Sequence, residues 1–366
     1  MSLFVILCLA VLGVQLIYLI LFLVAFYKEQ VVAPQIPRPV SVIVCAHDEE
    51  VNLRELIPLL LAQDHPQFEV IVVEDRSNDG TYDYLLQATQ ADARLKMVRV
   101  VQKPEYINGK KFGITLGIRA ARYDSLLFTD ADCRPLSTQW IRRMTEFYDD
   151  QTRIVLGFSP YRRTSGVLNS FIRFESLLTG IQYIGFALLG KPYMGVGRNL
   201  VYSKSLFLEN KGFNNYLGVM GGDDDLFINN HATRLNTQIC IGGDSVVVSS
   251  PKKTWSDFMQ QKLRHLAAGK KYKFRDKLML GSFMITWLAT WFLVLPLGLF
   301  TKWWILVLGI CFLRLGLLTW LFHRASYRLN AQFELWKTPI LDFIFSFYYL
   351  VTGLRALVVK RIRWKN

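Results

Sequence analysis

From Ser2 to Tyr27 the chain carries no charged residue, and a run of that length crosses a bilayer. Inside hydrocarbon there is no water for backbone N–H and C=O groups, so the run has to fold as a helix. A cleaved leader would open on basic residues and close on small ones. Both are missing, and residues 1–27 are expected to remain as an anchor. The other end repeats the pattern: Leu278 to Phe300 and Trp303 to Phe322, parted by Thr301-Lys302, are spanning candidates. Ile340 to Val359, after Pro339, form a third segment that carries Asp342 and Arg355.

Lys and Arg set the orientation. None precedes the first run, whereas Lys28 and Arg38 follow it, so the N-terminus is expected outside and the middle of the chain in the cytoplasm. Three more crossings would carry the basic tail (Lys360, Arg361, Arg363, Lys365) outside, against the same rule. Ile340 to Val359 is therefore expected to lie in the interface or re-enter, with Trp303, Trp304 and Trp336 as interfacial anchors. Of the net charge of +14, Pro251 to Lys277 holds nine Lys or Arg against Asp257 and Asp276. Beside a span, such residues gain about 1 kcal/mol each near anionic headgroups. That position favours membrane lipids, with no nucleic acid as partner, and flanking positive-inside residues that hold no ligand are the other reading. The five cysteines show no paired spacing, and no disulfide is expected.

The middle of the chain reads as repeated strand and helix units. Val40 to Cys45, Val70 to Val73, Met97 to Val101 and the run ending at Thr129 are apolar, and each meets polar or turn residues. Ligands of such sheets bind beyond the carboxyl ends of the strands. There stand Ala46-His47-Asp48-Glu49, Glu74-Asp75 and Asp130-Ala131-Asp132, with Asn108-Gly109-Lys110 opening a helix. An Asp-x-Asp can hold Mg²⁺ or Mn²⁺, because hard cations take oxygen ligands and leave positions for phosphate oxygens; a helix cap or solvated turn is the other reading. Asp79 reads better as a helix cap. Lys110 can meet a diphosphate or simply open its helix. Asp223-Asp224-Asp225 is either a charge cluster at a helix start or a functional group, and the repulsion among three like charges favours the second. Phe171 to Leu189 reads as an amphipathic or buried helix near the membrane.

Taken in order, these motifs resemble the family 2 glycosyltransferases over about residues 40 to 270. Ala46-His47-Asp48-Glu49 resembles the first nucleotide-binding loop, Glu74-Asp75 with Ser77, Asp79 and Thr81 the second, and Lys110 the helix-start lysine. Asp130-Ala131-Asp132 resembles the metal motif, Gly195-Val196-Gly197-Arg198-Asn199-Leu200 the acceptor-side loop, and Gly222-Asp223-Asp224-Asp225 the motif that supplies the base. Gln261-Lys262-Leu263-Arg264-His265 resembles the Gln-x-x-Arg-Trp motif. The departures are His47-Asp48 for Tyr-Asn, Arg76 for glycine, Asp223 for glutamate and His265 for tryptophan; the last puts acceptor stacking in doubt.

The resemblance implies a GT-A, Rossmann-like mixed α/β sheet with helices on both faces, between N- and C-terminal transmembrane helices. The expected boundaries are 1–27 anchor, 28–38 linker, 39–250 catalytic domain, 251–277 basic juxtamembrane region, 278–359 membrane segments and 360–366 tail. It implies an inverting transfer from a nucleotide-sugar donor, with UDP the expected nucleotide. Ala46, His47, Glu49, Asp75, Lys110 and Asp130 would bind the donor, Asp132 and Asp130 a Mg²⁺ or Mn²⁺, and Asp224, or in another register Asp223, would act as base. Gly197, Asn199, Gln261, Arg264 and His265 would lie on the acceptor and diphosphate side. A cytoplasmic catalytic face at a bacterial inner membrane favours a lipid-linked acceptor, a polyprenyl phosphate or glycolipid. A processive polysaccharide synthase, adding to a glycan acceptor, is the runner-up, disfavoured because a polar path through the bilayer needs more spans. A catalytically silent membrane scaffold is the alternative of another class, and it has no use for these carboxylates.

Overall fold

The computed structural model describes residues 3–29, 37–105, 107–219 and 221–358, with side chains to Arg355. Most of the expected linker and the basic tail lie outside the described residues. Along the chain α1 (Leu3–Tyr27) is followed by β1 (Val40–Ala46), α2 (Glu50–Leu61), β2 (Phe68–Asp75), α3 (Thr81–Ala91), β3 (Leu95–Val100), α4 (Gly109–Ala120) and β4 (Ser125–Asp130). Next come β5 (Cys133–Pro135), α5 (Trp140–Thr145), β6 (Ile154–Leu156), α6 (Val167–Leu188), β7 (Leu200–Ser203), α7 (Lys204–Glu209), α8 (Asp225–His231), β8 (Thr237–Ile239) and β9 (Val247–Ser249). The remainder is helical: α9 (Trp255–Gly269), α10 (Phe274–Ala289), α11 (Leu295–Gly298), α12 (Trp304–Arg328) and α13 (Thr338–Val358). Two compact units share this chain; one holds all the strands, the other α1, α6 and α9 to α13.

In the strand unit one sheet runs β3-β2-β1-β4-β7-β6-β8, and β5 pairs with β9 in a second. β1 to β4 are parallel, β7 is antiparallel to β4 and β6, and β8 is parallel to β6. Val42, Val44, Val70 and Val72 are fully buried because helices cover both faces, which is why these strands read as unbroken apolar runs. Leu53, Leu56, Ile57 and Leu60 of α2, with Trp140 and Ile141 of α5, share one core with these valines. Each such side chain contributes about 1.5–3 kcal/mol of burial. On the other face Gly117 lets α4 lie close, since a Cβ there would meet Val73 at 2.9 Å and Ile43 at 3.0 Å. Register does the rest: Ala46 pairs with Glu74 and Cys45 with Asp130, so the polar ends of three strands emerge at one edge.

Among the described residues, the helical unit contains three helices long and apolar enough to cross a membrane: Leu3–Tyr27, Phe274–Gly298 and Trp304–Arg328. The second is α10 and α11 joined by a π-helical turn, Thr290–Val294. α1 and α10 are antiparallel, because Gln15 donates to the Phe283 carbonyl at 2.8 Å and to Thr286 Oγ1 at 2.7 Å while Tyr18 meets Ser282 at 2.6 Å. α1 and α12 run the same way, with Arg324 and Arg328 donating to the Phe26 carbonyl at 3.1 and 3.2 Å. α6 is buried through most of its length, Phe174 stacking on Phe322 and Phe186 edge-on to Phe22.

The segment after Pro339 belongs to one continuous helix, α13. Asp342 and Arg314 are both buried and paired at 2.5 Å, Trp291 Nε1 donates to the same carboxylate at 3.2 Å, and the guanidinium lies 4.6 Å from the Trp287 ring centre. A lone charge among apolar helices is costly, and the partner is what makes either residue tolerable. Later turns of α13 rest on α9 and α6, with Tyr348 against Phe258 and Phe171.

Candidate active site

The loops after β1 and β2 are laced together by side chains that accept backbone N–H groups. Asp48 N donates to Ser77 Oγ at 3.1 Å, Glu49 N to Thr81 Oγ1 at 2.9 Å, and Asn78 N to Asp48 Oδ1 at 2.6 Å. Asp79 accepts from Thr81 N at 2.9 Å and from Glu50 N at 3.1 Å, so it caps α3 and ties the two loops. His47 Nδ1 lies 2.6 Å from the Asp75 carbonyl, while Ala46 is buried at the end of β1. Asp48 and Arg76 both take φ +56°, a left-handed conformation that costs a residue with a Cβ about 1–2 kcal/mol. Arg76, standing where the resembling family has glycine, is held by its bond to Asp75 at 2.8 Å. Asp75 faces the start of α4, where a Cβ on Gly109 would come within 3.1 Å of its carboxylate.

Lys110, on the first turn of α4, joins two parts of the chain that are far apart in sequence. Its Nζ lies 3.0 Å from Asp130 Oδ1 and 3.3 Å from Asp223 Oδ2. Burial works against its charge, but Asp130, Asp223 and Asp224 hold it well above the ordinary lysine value. A pocket at this point is lined by Lys110, Asp130, Gly197, Asp223 and Asp224 over a floor that includes Cys45 and Tyr202. Asp224 caps α8 and accepts from Gly197 N at 2.6 Å and Asp225 N at 2.7 Å. Gly197 permits that approach, since a Cβ there would stand 3.1 Å from the carboxylate. Burial, then Asp223, push the Asp224 carboxyl up to about 6, against the pull of Lys110 and the two amides. Asp223 is buried and engaged by Lys110, whereas Asp224 is half-buried with an oxygen toward the pocket's glycine.

Asp130 and Asp132 are half-buried at the end of β4. Among the described residues no three His, Cys, Asp or Glu side chains converge on a point that could hold a metal. Asp130 lines the pocket and Asp132 stands two residues on; two such carboxylates fit a hard cation, provided ligand oxygens complete its shell. Arg198 stacks 4.5 Å from the Tyr161 ring centre; burial opposes its charge, and Tyr161, Cys133, Asp130 and Asp132 hold it above the ordinary value. It stood inside the glycine-rich motif in the sequence, but no spacing rule marks it as the cation that faces the Asp-x-Asp.

Asn199, expected on the acceptor side, is fully buried. Its amide accepts from Trp140 Nε1 at 3.0 Å and donates to the Phe158 and Ser245 carbonyls at 2.8 and 2.7 Å, which makes it a brace for the loop that presents Gly197. Gln261, Arg264 and His265 stand on α9, in the helical unit, and Asp224 in the strand unit. Arg264 is half-buried there, and burial lowers its pKa. Glu49 is bonded by Asn52 Nδ2 at 2.5 Å.

Residues 41–209 match Glycosyl transferase family 2. That stretch carries β1 to β7 and the Asp-x-Asp, so the strand unit is similar to family 2 glycosyltransferases. It is 29% identical over 115 residues to a glycosyltransferase of Haemophilus influenzae called uncharacterised, a stretch that is 31% of this chain and 34% of that one. It is 28% identical over 148 residues to the probable glycosyltransferase YdaM of Bacillus subtilis, 38% of this chain and 34% of the relative. The matches thus span about a third of these relatives' length. In three dimensions it resembles the mannosyltransferase PcManGT of Pyrobaculum calidifontis, determined with GDP-Man and Mn²⁺, with a TM-score of 0.64 at 19% identity over 96% of this chain and 97% of that one. The chain thus has the GT-A fold, with helices long and apolar enough to cross a membrane.

Proposed function

We propose that this glycosyltransferase moves a sugar, with inversion, from a nucleotide-sugar donor to a lipid-linked acceptor at the cytoplasmic face of a membrane. The observation that carries the reading is the convergence of Asp130, Lys110, Asp223 and Asp224 from separate strands and helices onto one pocket. Asp224 is the base: its raised pKa near 6 keeps it ionised at neutral pH yet basic enough to take a proton from the acceptor hydroxyl. Asp75, Glu49, His47 and the laced loops hold the nucleoside, and Lys110 with Arg198 faces the charge that develops on the departing diphosphate. Asp130 and Asp132 would hold a Mg²⁺ or Mn²⁺, which supplies Lewis-acid stabilisation of that diphosphate. The two carboxylate groups serve opposite ends of one displacement.

Topology supports the membrane acceptor. α1 and α12 are parallel and α10 opposes them, so three crossings would return the end of α12 to the side on which α1 ends. Lys28, Arg324 and Arg328 mark that side as cytoplasmic, and the basic tail then needs no fourth crossing. Purified protein with membrane lipids, Mn²⁺ and a panel of UDP- and GDP-sugars tests the reading by nucleoside diphosphate release and the mass of the lipid product. A single sugar added per lipid supports it; a lengthening glycan favours the synthase, and no release with any donor favours the scaffold.

A further inference from the structure

Lys111 is fully buried, although lysine is almost never so placed without a reason in its surroundings. It follows Lys110 on α4, but points elsewhere. Its Nζ donates to the Tyr216 carbonyl at 2.7 Å and the Val219 carbonyl at 2.5 Å, and sits 5.2 Å from the Tyr216 ring centre. One residue before α4, Asn108 N donates to the Leu217 carbonyl at 3.4 Å. The segment so gripped leads through Gly221 and Gly222, both in the left-handed region, into Asp223 and Asp224. Two adjacent lysines of one helix therefore reach opposite ends of the same stretch: Lys110 its carboxylates, Lys111 the main chain just before them.

We propose that Lys111 is a positioning residue for the transfer: it fixes the Asn214–Val219 segment against the donor-side helix and thereby sets Asp223 and Asp224 relative to the bound diphosphate. This rests on the reading of the site as a glycosyl-transfer centre. Removal of the ammonium leaves the Val219 carbonyl without this donor and the Tyr216 carbonyl with only the Val219 N–H at 3.1 Å, which loosens the segment's hold on α4. Burial lowers Lys111 to about 8, with Asp223, Asp225 and Asp224 opposing that fall. The groups acting on it are those three aspartates and Tyr216, with Lys110 next to it on its own helix.

The test is hydrogen exchange and kinetics on full-length protein and Lys111→Met. In the unsubstituted protein the amides of Tyr216 and Val219 are expected to exchange at least about 100-fold more slowly than an open loop. In Lys111→Met they are expected to lose about tenfold or more of that protection, while β1 and β4 keep theirs. Nucleoside diphosphate affinity is expected within about twofold of the parent and transfer to drop about tenfold or more, a split that loss of fold alone would not produce. Unprotected Tyr216 and Val219 amides in the parent protein overturn the proposal without any variant. Unchanged exchange in Lys111→Met overturns it too. Lost protection with unimpaired transfer refutes the positioning role and leaves the transferase reading intact, whereas a parent protein that turns over no donor refutes that reading itself.

Discussion

The two units of this chain bury charged groups to opposite ends. In the helical unit a buried charge is closed off: Asp342 spends its oxygens on Arg314 and Trp291, and Arg173 spends its guanidinium on Glu334 and the Gln332 carbonyl. In the strand unit the charges at the strand ends are shared within a cluster. Lys110 is shared between two carboxylates, Asp224 is raised to about 6, and Asp130 and Asp132 stay half-buried. A closed pair holds helices in place, whereas the strand-end cluster divides one lysine among carboxylates that line a pocket. The difference separates structural from chemical use of the same residue types better than burial does.

The comparison breaks most visibly at the base. Asp224→Asn is expected to lower transfer about 10³-fold or more while leaving donor binding in place, measured by steady-state kinetics beside nucleotide titration. Next comes the closed pair. Asp342→Leu alone, which strands Arg314, is expected to cost about 3–5 kcal/mol in detergent unfolding, and Asp342→Leu with Arg314→Met to recover most of it. Smaller is the brace: Asn199→Ala leaves the Trp140 indole N–H and two carbonyls unpaired and is expected to cost about 1–3 kcal/mol in stability, with transfer reduced through Gly197.

The mildest perturbation is pH. The Asp224 carboxyl sits at about 6 against an ordinary 3.8, so the ionised base is lost as pH falls through about 6. The acid limb of kcat/KM, which reports the free enzyme, is expected to drop about tenfold per pH unit below that point. Stability moves the other way for this group: the fold favours the neutral acid, so its contribution is present below the ordinary value and lost as pH rises through about 6.

Much of this was legible in the residues. β1, β2 and β4 announce themselves because strands covered on both faces are apolar throughout, and their polar ends name the site. The segment of α13 was read as a helix, but the partner of its Asp342 was not, because it stands 28 residues earlier on a neighbouring helix. Lys110 and Lys111 are identical in type and adjacent, and only the turn of α4 sends one to carboxylates and the other beneath Tyr216. Asn199 matched a motif by position, yet its side chain is consumed by Trp140, Phe158 and Ser245. Asp79 alone among the loop carboxylates was correctly separated as a cap, since its spacing to Thr81 is local and needs no tertiary information.

The central claim is that separated carboxylates of one cleft divide the work, a cation held at one end and a proton taken at the other. Nucleoside diphosphate titrated into full-length protein with and without Mn²⁺, for the parent, Asp132→Asn and Asp224→Asn, tests it most directly. The account predicts that Mn²⁺ strengthens binding in the parent and in Asp224→Asn but not in Asp132→Asn, with both variants inactive in transfer. Equal affinity with and without Mn²⁺ in the parent, or transfer that survives in Asp224→Asn, contradicts it.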